Sequence, residues 1–76
     1  MALYFFDIRR QNGLYPDTEG VDLAGLNDAK RQACLLVQAL IEAGVDPGEI
    51  EVFDNRRRLM FVVETSVFGH GSRSIH

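Results

Sequence analysis

A chain of 76 residues makes one domain, near the lower end of what folds without a staple. Its hydrophobic content of 46% excludes a disordered polyelectrolyte, and a net charge of −3 argues against a protein whose main work is to neutralise phosphates. A single cysteine, Cys34, excludes an intrachain disulfide and fits a reducing, cytoplasmic compartment.

The opening Met1-Ala2-Leu3-Tyr4-Phe5-Phe6 lacks the basic region of a signal peptide, and Asp7 interrupts its apolar run. No stretch approaches the roughly 20 apolar residues that span a bilayer, so no membrane association is expected. Leu3 to Ile8 is aromatic and β-branched and predicts a strand, closed by a turn at Arg9-Arg10-Gln11-Asn12-Gly13. Leu14-Tyr15, the turn cluster Pro16-Asp17-Thr18-Glu19-Gly20 and Val21-Asp22-Leu23 predict a second strand, short, irregular and broken at Pro16. It belongs at a sheet edge, where the missing donor of proline is tolerated.

The helical period is clearest over Asn27 to Ala43. Ala29, Ala33, Leu36, Val37, Leu40 and Ile41 fall on one stripe, with Asp28, Arg31, Gln38 and Glu42 opposite. Asn27 or Asp28 is the expected N-cap, with Leu26 as the residue that staples the first turn. Gly44 is placed to end the helix and Asp46-Pro47-Gly48 to prevent its continuation. Leu35 lies on the polar side, and the pattern does not explain it. Glu49 to Asp54 alternates again, and a tight loop at Asn55-Arg56-Arg57 leads into an apolar strand from Arg58 to Val67, which predicts a β-hairpin. Residues 69–76 are polar, rich in glycine and serine, and expected to form a frayed tail after a domain over residues 1–68.

The order β-β-α-β-β predicts an α+β two-layer sandwich, one amphipathic helix packed on an antiparallel, possibly mixed, sheet. One helix covers one face, yet both faces of the first and last strands are apolar. Leu3 and Phe5 alternate with Tyr4, Phe6 and Ile8, and Leu59, Phe61 and Val63 alternate with Met60 and Val62. A second copy of the chain is the expected cover, in an isologous two-fold dimer. The alternative cover is the chain's own tail or the Leu14–Leu23 segment. Tyr4, Phe6, Ile8, Leu35, Met60 and Val62 are the candidate interface residues.

Residues able to carry chemistry are few. Cys34 sits at the edge of the helix stripe with no base beside it in sequence, and is expected to be a buried structural thiol rather than a nucleophile. His70 and His76 have no neighbouring ligands at metal-binding spacing, so no metal and no cofactor is expected. Asp17, Glu19 and Asp22 lie in and after a turn, where aspartate favours the bend itself, and their run is too short for a calcium loop. Asp7 is a carboxylate within an aromatic strand and requires an arginine partner or an edge, with Arg9 or one of Arg56–Arg58 the obvious candidates. Arg9, Arg10, Arg56, Arg57 and Arg58 are the candidate anion-binding residues, through the bidentate geometry of guanidinium. The other reading of the Arg56–Arg58 run is a solvated loop that discourages edge-to-edge association. Nucleic acid is the less expected partner, since no aromatic residues interleave the run.

Tyr4-Phe5-Phe6-Asp7-Ile8, then Asp17-Thr18-Glu19-Gly20-Val21-Asp22-Leu23, Leu26 to Ala33 and Ile50-Glu51-Val52-Phe53-Asp54 together resemble a family of short bacterial proteins common in rhizobia and related alphaproteobacteria. These open with a Tyr-Phe-(Phe/His)-Asp strand and form a domain of unknown function. The resemblance spans the chain to about Val67 and implies a fold but no reaction. The chain departs from that pattern at Asn55-Arg56-Arg57, where relatives commonly carry a glycine-containing turn. In architecture alone, the strand–turn–strand–helix order is also similar to the domain of HicB-type antitoxins, without the proline-containing signature before the helix. The function expected from all of this is a non-catalytic, homodimeric interaction or regulatory module. The alternative is a binder of small anions or nucleic acid through the arginine loop.

Overall fold

The computed structural model describes residues 1–64. The tail 69–76, His70, His76 and the expected end of the last strand at Val67 lie outside the described residues. Five strands and one helix follow in the order β1 (Ala2–Arg10), β2 (Gly13–Tyr15), β3 (Val21–Leu23), α1 (Leu26–Glu42), β4 (Glu49–Phe53) and β5 (Leu59–Glu64). The chain is an α+β fold with its helix on an open antiparallel sheet, as the element order predicts. The irregular second strand is two separate pieces, β2 and β3, on either side of the Pro16 turn. β1 runs past Ile8 because Arg9 and Arg10 pair with Leu14 and Gly13 on one side and Arg9 with Glu49 on the other.

The sheet runs β2-β1-β4-β5, with β3 also on β1. β1 is therefore central: β4 pairs along one side of it, while β3 takes its first half and β2 its last. Register decides which side chains share a face. Phe6 stands opposite Val52 and Ile8 opposite Ile50, and these continue to Phe61 and Val63 on β5. This face meets the helix: Tyr4, Phe6, Ile50 and Val52 are buried with Ala29, Ala33 and Val37 as one core. The small Ala29 and Ala33 let the helix backbone come close to the sheet.

The helix departs from expectation at both ends. Gly25, in extended backbone, is the N-cap, and no side chain caps the first turn. Asn27 and Asp28 lie two and three residues past the cap position and so do not cap it. Asp28 instead sits in the first turn, where the helix dipole favours a carboxylate, and pairs with Arg31 at 3.1 Å. Leu26 is the first helical residue and exposed, so it does not act as the staple. Ile41 is exposed as well, in the last turn of the helix. At the C-terminus Gly44, at φ +77°, donates to the Ile41 carbonyl, and Val45 donates to that of Leu40. These two bonds make a Schellman ending.

Candidate functional site

The side of the sheet away from the helix carries Leu3, Phe5, Asp7 and Arg9 from β1, Glu51 and Phe53 from β4, and Val62 from β5. Asp7 is 2% exposed there, a buried carboxylate on an otherwise solvent-facing layer. Its partner is Arg57, whose guanidinium nitrogens donate to Oδ1 at 3.3 Å and to Oδ2 at 3.0 Å. The guanidinium lies over the rings of Phe5 and Phe53, 4.9 and 4.8 Å from their centroids. Two aromatic faces and one bidentate carboxylate thus hold a single cation.

The hairpin that delivers Arg57 is built by Asp54. Its Oδ1 accepts the Arg56 and Arg58 backbone N–H groups, and its Oδ2 accepts Arg58 Nε, all at 2.9 Å. The Arg58 N–H is the main reason that the Asp54 carboxyl is held below its usual range. At the tip Arg57 takes φ 60°, a left-handed conformation that costs a non-glycine residue about 1 kcal/mol and that the Asp7 pair offsets.

Asp17 completes the arrangement. β2 ends opposite Ile8 and β3 begins opposite Tyr4, which leaves the stretch between without a strand on that edge of β1. Asp17 fills the gap. Its Oδ2 accepts the Phe6 N–H at 3.1 Å, while its own N–H donates to Asp7 Oδ1 at 2.9 Å. Its Oδ1 accepts the Glu19 and Gly20 N–H groups, closing the turn. Burial pushes the Asp17 carboxyl up, but the N–H groups of Gly20, Phe6 and Glu19, with the charge of Arg57, together hold it below the usual range. Asp7, Asp17 and Asp54 are all engaged in holding the fold.

The other arginines are dispersed. Arg9 pairs with Glu51 at 3.0 Å and Arg58 with Asp54 at 2.9 Å. Arg10 lies over the Tyr15 ring at 4.9 Å, beside a cleft of about 310 Å³ shared with Gln11, Asn12 and Asp46. Arg56 has no carboxylate partner among the described residues. The five candidate anion-binding residues are therefore not brought together, and Arg57 is corrected to a residue that holds the fold. Its charge is matched by Asp7, a partnership the sequence anticipated without choosing among the arginines. Phe5 and Phe53 were not anticipated. The only signal was for Phe5, on the same strand face as Asp7 and two positions away.

The candidate interface is also redistributed. Tyr4, Phe6 and Ile8 lie beneath the helix, since their face is the one that meets Ala29, Ala33 and Val37. Tyr4 and Phe6 are corrected from interface to core, and Ile8 is half-buried against that core. Leu35 is exposed on the outer side of the helix, across the molecule from the open sheet face. Met60 and Val62 remain exposed with Leu59 on β5, at 43%, 40% and 54%. A shallow groove of about 390 Å³ runs between Leu36 of the helix and Pro16, and its one carboxylate, Asp17, already has its donors. Cys34 is half-buried. Among the described residues no three His, Cys, Asp or Glu side chains converge as a metal site, and no helix is long and apolar enough to cross a membrane.

A family model described as Domain of unknown function (DUF6894) matches residues 3–66. No curated protein and no solved structure matches the chain.

Proposed function

We propose, for a chain that belongs to the family Domain of unknown function (DUF6894), that it is a non-catalytic interaction module of the bacterial cytoplasm that works as a homodimer. One observation carries this: Leu59, Met60 and Val62 are exposed together on β5, next to the half-buried Leu3, Phe5 and Phe53 of the open sheet face. Burying such a surface gains about 25 cal/mol for each Å² removed from water. A domain this small has little stability to spare, so association adds where the core is thin. The engagement of Asp7, Asp17 and Asp54 in structural bonds supports a non-catalytic role, because none is left to move a proton. Light scattering during size exclusion tests the dimer. A mass of twice the 8.5 kDa chain at micromolar concentration is expected, and a mass of one chain overturns it.

A second reading, binding of anions, rests on Arg56 alone at the hairpin tip, since its neighbours Arg57 and Arg58 already hold carboxylates. If Arg56→Ala binds a panel of RNA and phosphorylated ligands as the parent does, that reading fails.

A further inference from the structure

Two turns meet at one end of the sheet. The β1–β2 turn carries Gln11 and Asn12 between the paired Arg10 and Gly13, and Asp46 stands between the helix and β4. Arg10, Gln11, Asn12 and Asp46 line the open cleft of about 310 Å³ between these turns. Packing, rather than a countercharge, fixes the Arg10 side chain. Its guanidinium lies over the Tyr15 ring at 4.9 Å, and its Cγ is 3.1 Å from where a Cβ on Gly48 would stand. The ion pairs among the described residues are made by Arg9, Arg31, Arg57 and Arg58 instead. Arg10 Nε is closed to solvent and has no hydrogen-bond partner. A cationic donor left without an acceptor costs free energy, so this guanidinium calls for a partner from outside the chain.

Asp46 lines the same cleft and is half used. Its Oδ1 accepts the Gly48 N–H at 3.1 Å, and its Oδ2 accepts nothing among the described residues. Tyr15 donates to Asn12 Oδ1 at 3.3 Å, which leaves the Asn12 amide N–H groups to donate elsewhere. We infer that this cleft binds a small polar α-amino acid, its carboxylate on Arg10 and its ammonium on Asp46. Guanidinium grips a carboxylate through two parallel N–H bonds, and Asn12 supplies a further donor. A plain anion is repelled by Asp46 and a plain amine by Arg10, so a ligand bearing both signs is the one matched throughout. Gln11 and Asn12 give the walls carboxamides, which suit a short polar side chain better than an apolar one.

The test titrates the full ¹⁵N-labelled chain with glycine, L-serine and L-glutamine. The Arg10 Nε–H and Asn12 side-chain signals are expected to move together and to saturate with at least one of the three. N-acetyl-L-serine, which lacks the ammonium, and L-serinamide, which lacks the carboxylate, should bind about tenfold weaker or less, the loss of one charged hydrogen bond. Asp46→Asn keeps the acceptor for the Gly48 N–H while removing the charge, and Arg10→Met keeps an apolar stem over Tyr15. Each should weaken L-serine binding by a similar factor. No saturable shift with any of the three amino acids overturns the inference. Equal binding of N-acetyl-L-serine reduces the cleft to a simple anion site, and equal binding of L-serinamide to a cation site; either overturns it. Undiminished binding by Asp46→Asn overturns it as well, whether or not Arg10→Met folds.

Discussion

The Asp7 carboxylate and the Arg57 guanidinium, fifty residues apart in the chain, meet through hydrogen bonds of 3.0 and 3.3 Å on the side of the sheet that the helix leaves open. That pair ties the centre of the first strand to the tip of the last hairpin. It leaves a carboxylate that is almost wholly buried, and that also accepts the Asp17 N–H, dependent on one distant residue for its countercharge.

Arg57→Ala therefore destabilises by about 2–3 kcal/mol, mostly as the cost of a buried carboxylate without its cation. The loss stays below that of a wholly buried pair because Arg57 is itself 44% exposed. Arg57→Gly loses the same pair but relieves the φ 60° strain, so it should be about 1 kcal/mol the less damaging of the two. Urea unfolding of both variants and the parent measures the difference.

Acid should loosen the fold through Asp17. Its carboxyl is held below the ordinary range in the folded chain, so its contribution is complete above the unfolded value. That contribution is lost as pH falls through the lowered folded one. Thermal midpoints measured from pH 7 downward should fall beneath about pH 4 in the parent and fall less in Asp17→Asn. At pH 7, Asp17→Ala should cost about 2 kcal/mol, having lost the acceptor for the Phe6, Glu19 and Gly20 N–H groups.

Two glycines with similar backbone angles should respond unequally to alanine. A Cβ on Gly44 meets nothing within 4 Å, so Gly44→Ala costs only the left-handed strain, about 1 kcal/mol. A Cβ on Gly48 would stand 2.1 Å from the Arg9 carbonyl oxygen. Gly48→Ala must therefore push β1 away from the turn before β4, and should cost about 3 kcal/mol or more. Chemical denaturation of the two variants side by side tests the contrast.

On the helix, Val37 is wholly buried and Leu35 is 53% exposed. Val37→Ala should lose about 2 kcal/mol, while Leu35→Gln should stay within about 0.5 kcal/mol of the parent. An equal loss at Leu35 would mean that something covers the outer side of the helix.

Much of the fold was legible because its signals are local. The stripe of Ala29, Ala33 and Val37 repeats at the helical period, and Gly44 and Pro47 stop the helix within a few residues of where the period ends. The break at Pro16 and the alternation over Glu49–Phe53 likewise depend on neighbours in the chain. The helix start was misplaced because the chain caps it with Gly25, which offers no side-chain signal.

The candidate site was legible only as a requirement. An aspartate in an aromatic strand must find a cation, and that much follows from the cost of burying charge. Which arginine answers it was settled by the Asp54 hairpin, which turns Arg57 back over Phe5 and Phe53 and leaves Arg9 beside Glu51. The side of the sheet that meets the helix could not be read either, because both sides of β1 are apolar and periodicity assigns residues to faces without ranking them. Register with β4 and the small residues of the helix decided it, sending Tyr4 and Phe6 into the core and leaving β5 at the margin. The sequence by itself determined the elements and the need for a partner at Asp7, since each is set by neighbouring residues or by the residue's own chemistry. Only the tertiary structure decided the partner and the buried face, since each depends on residues that the chain brings together from far apart.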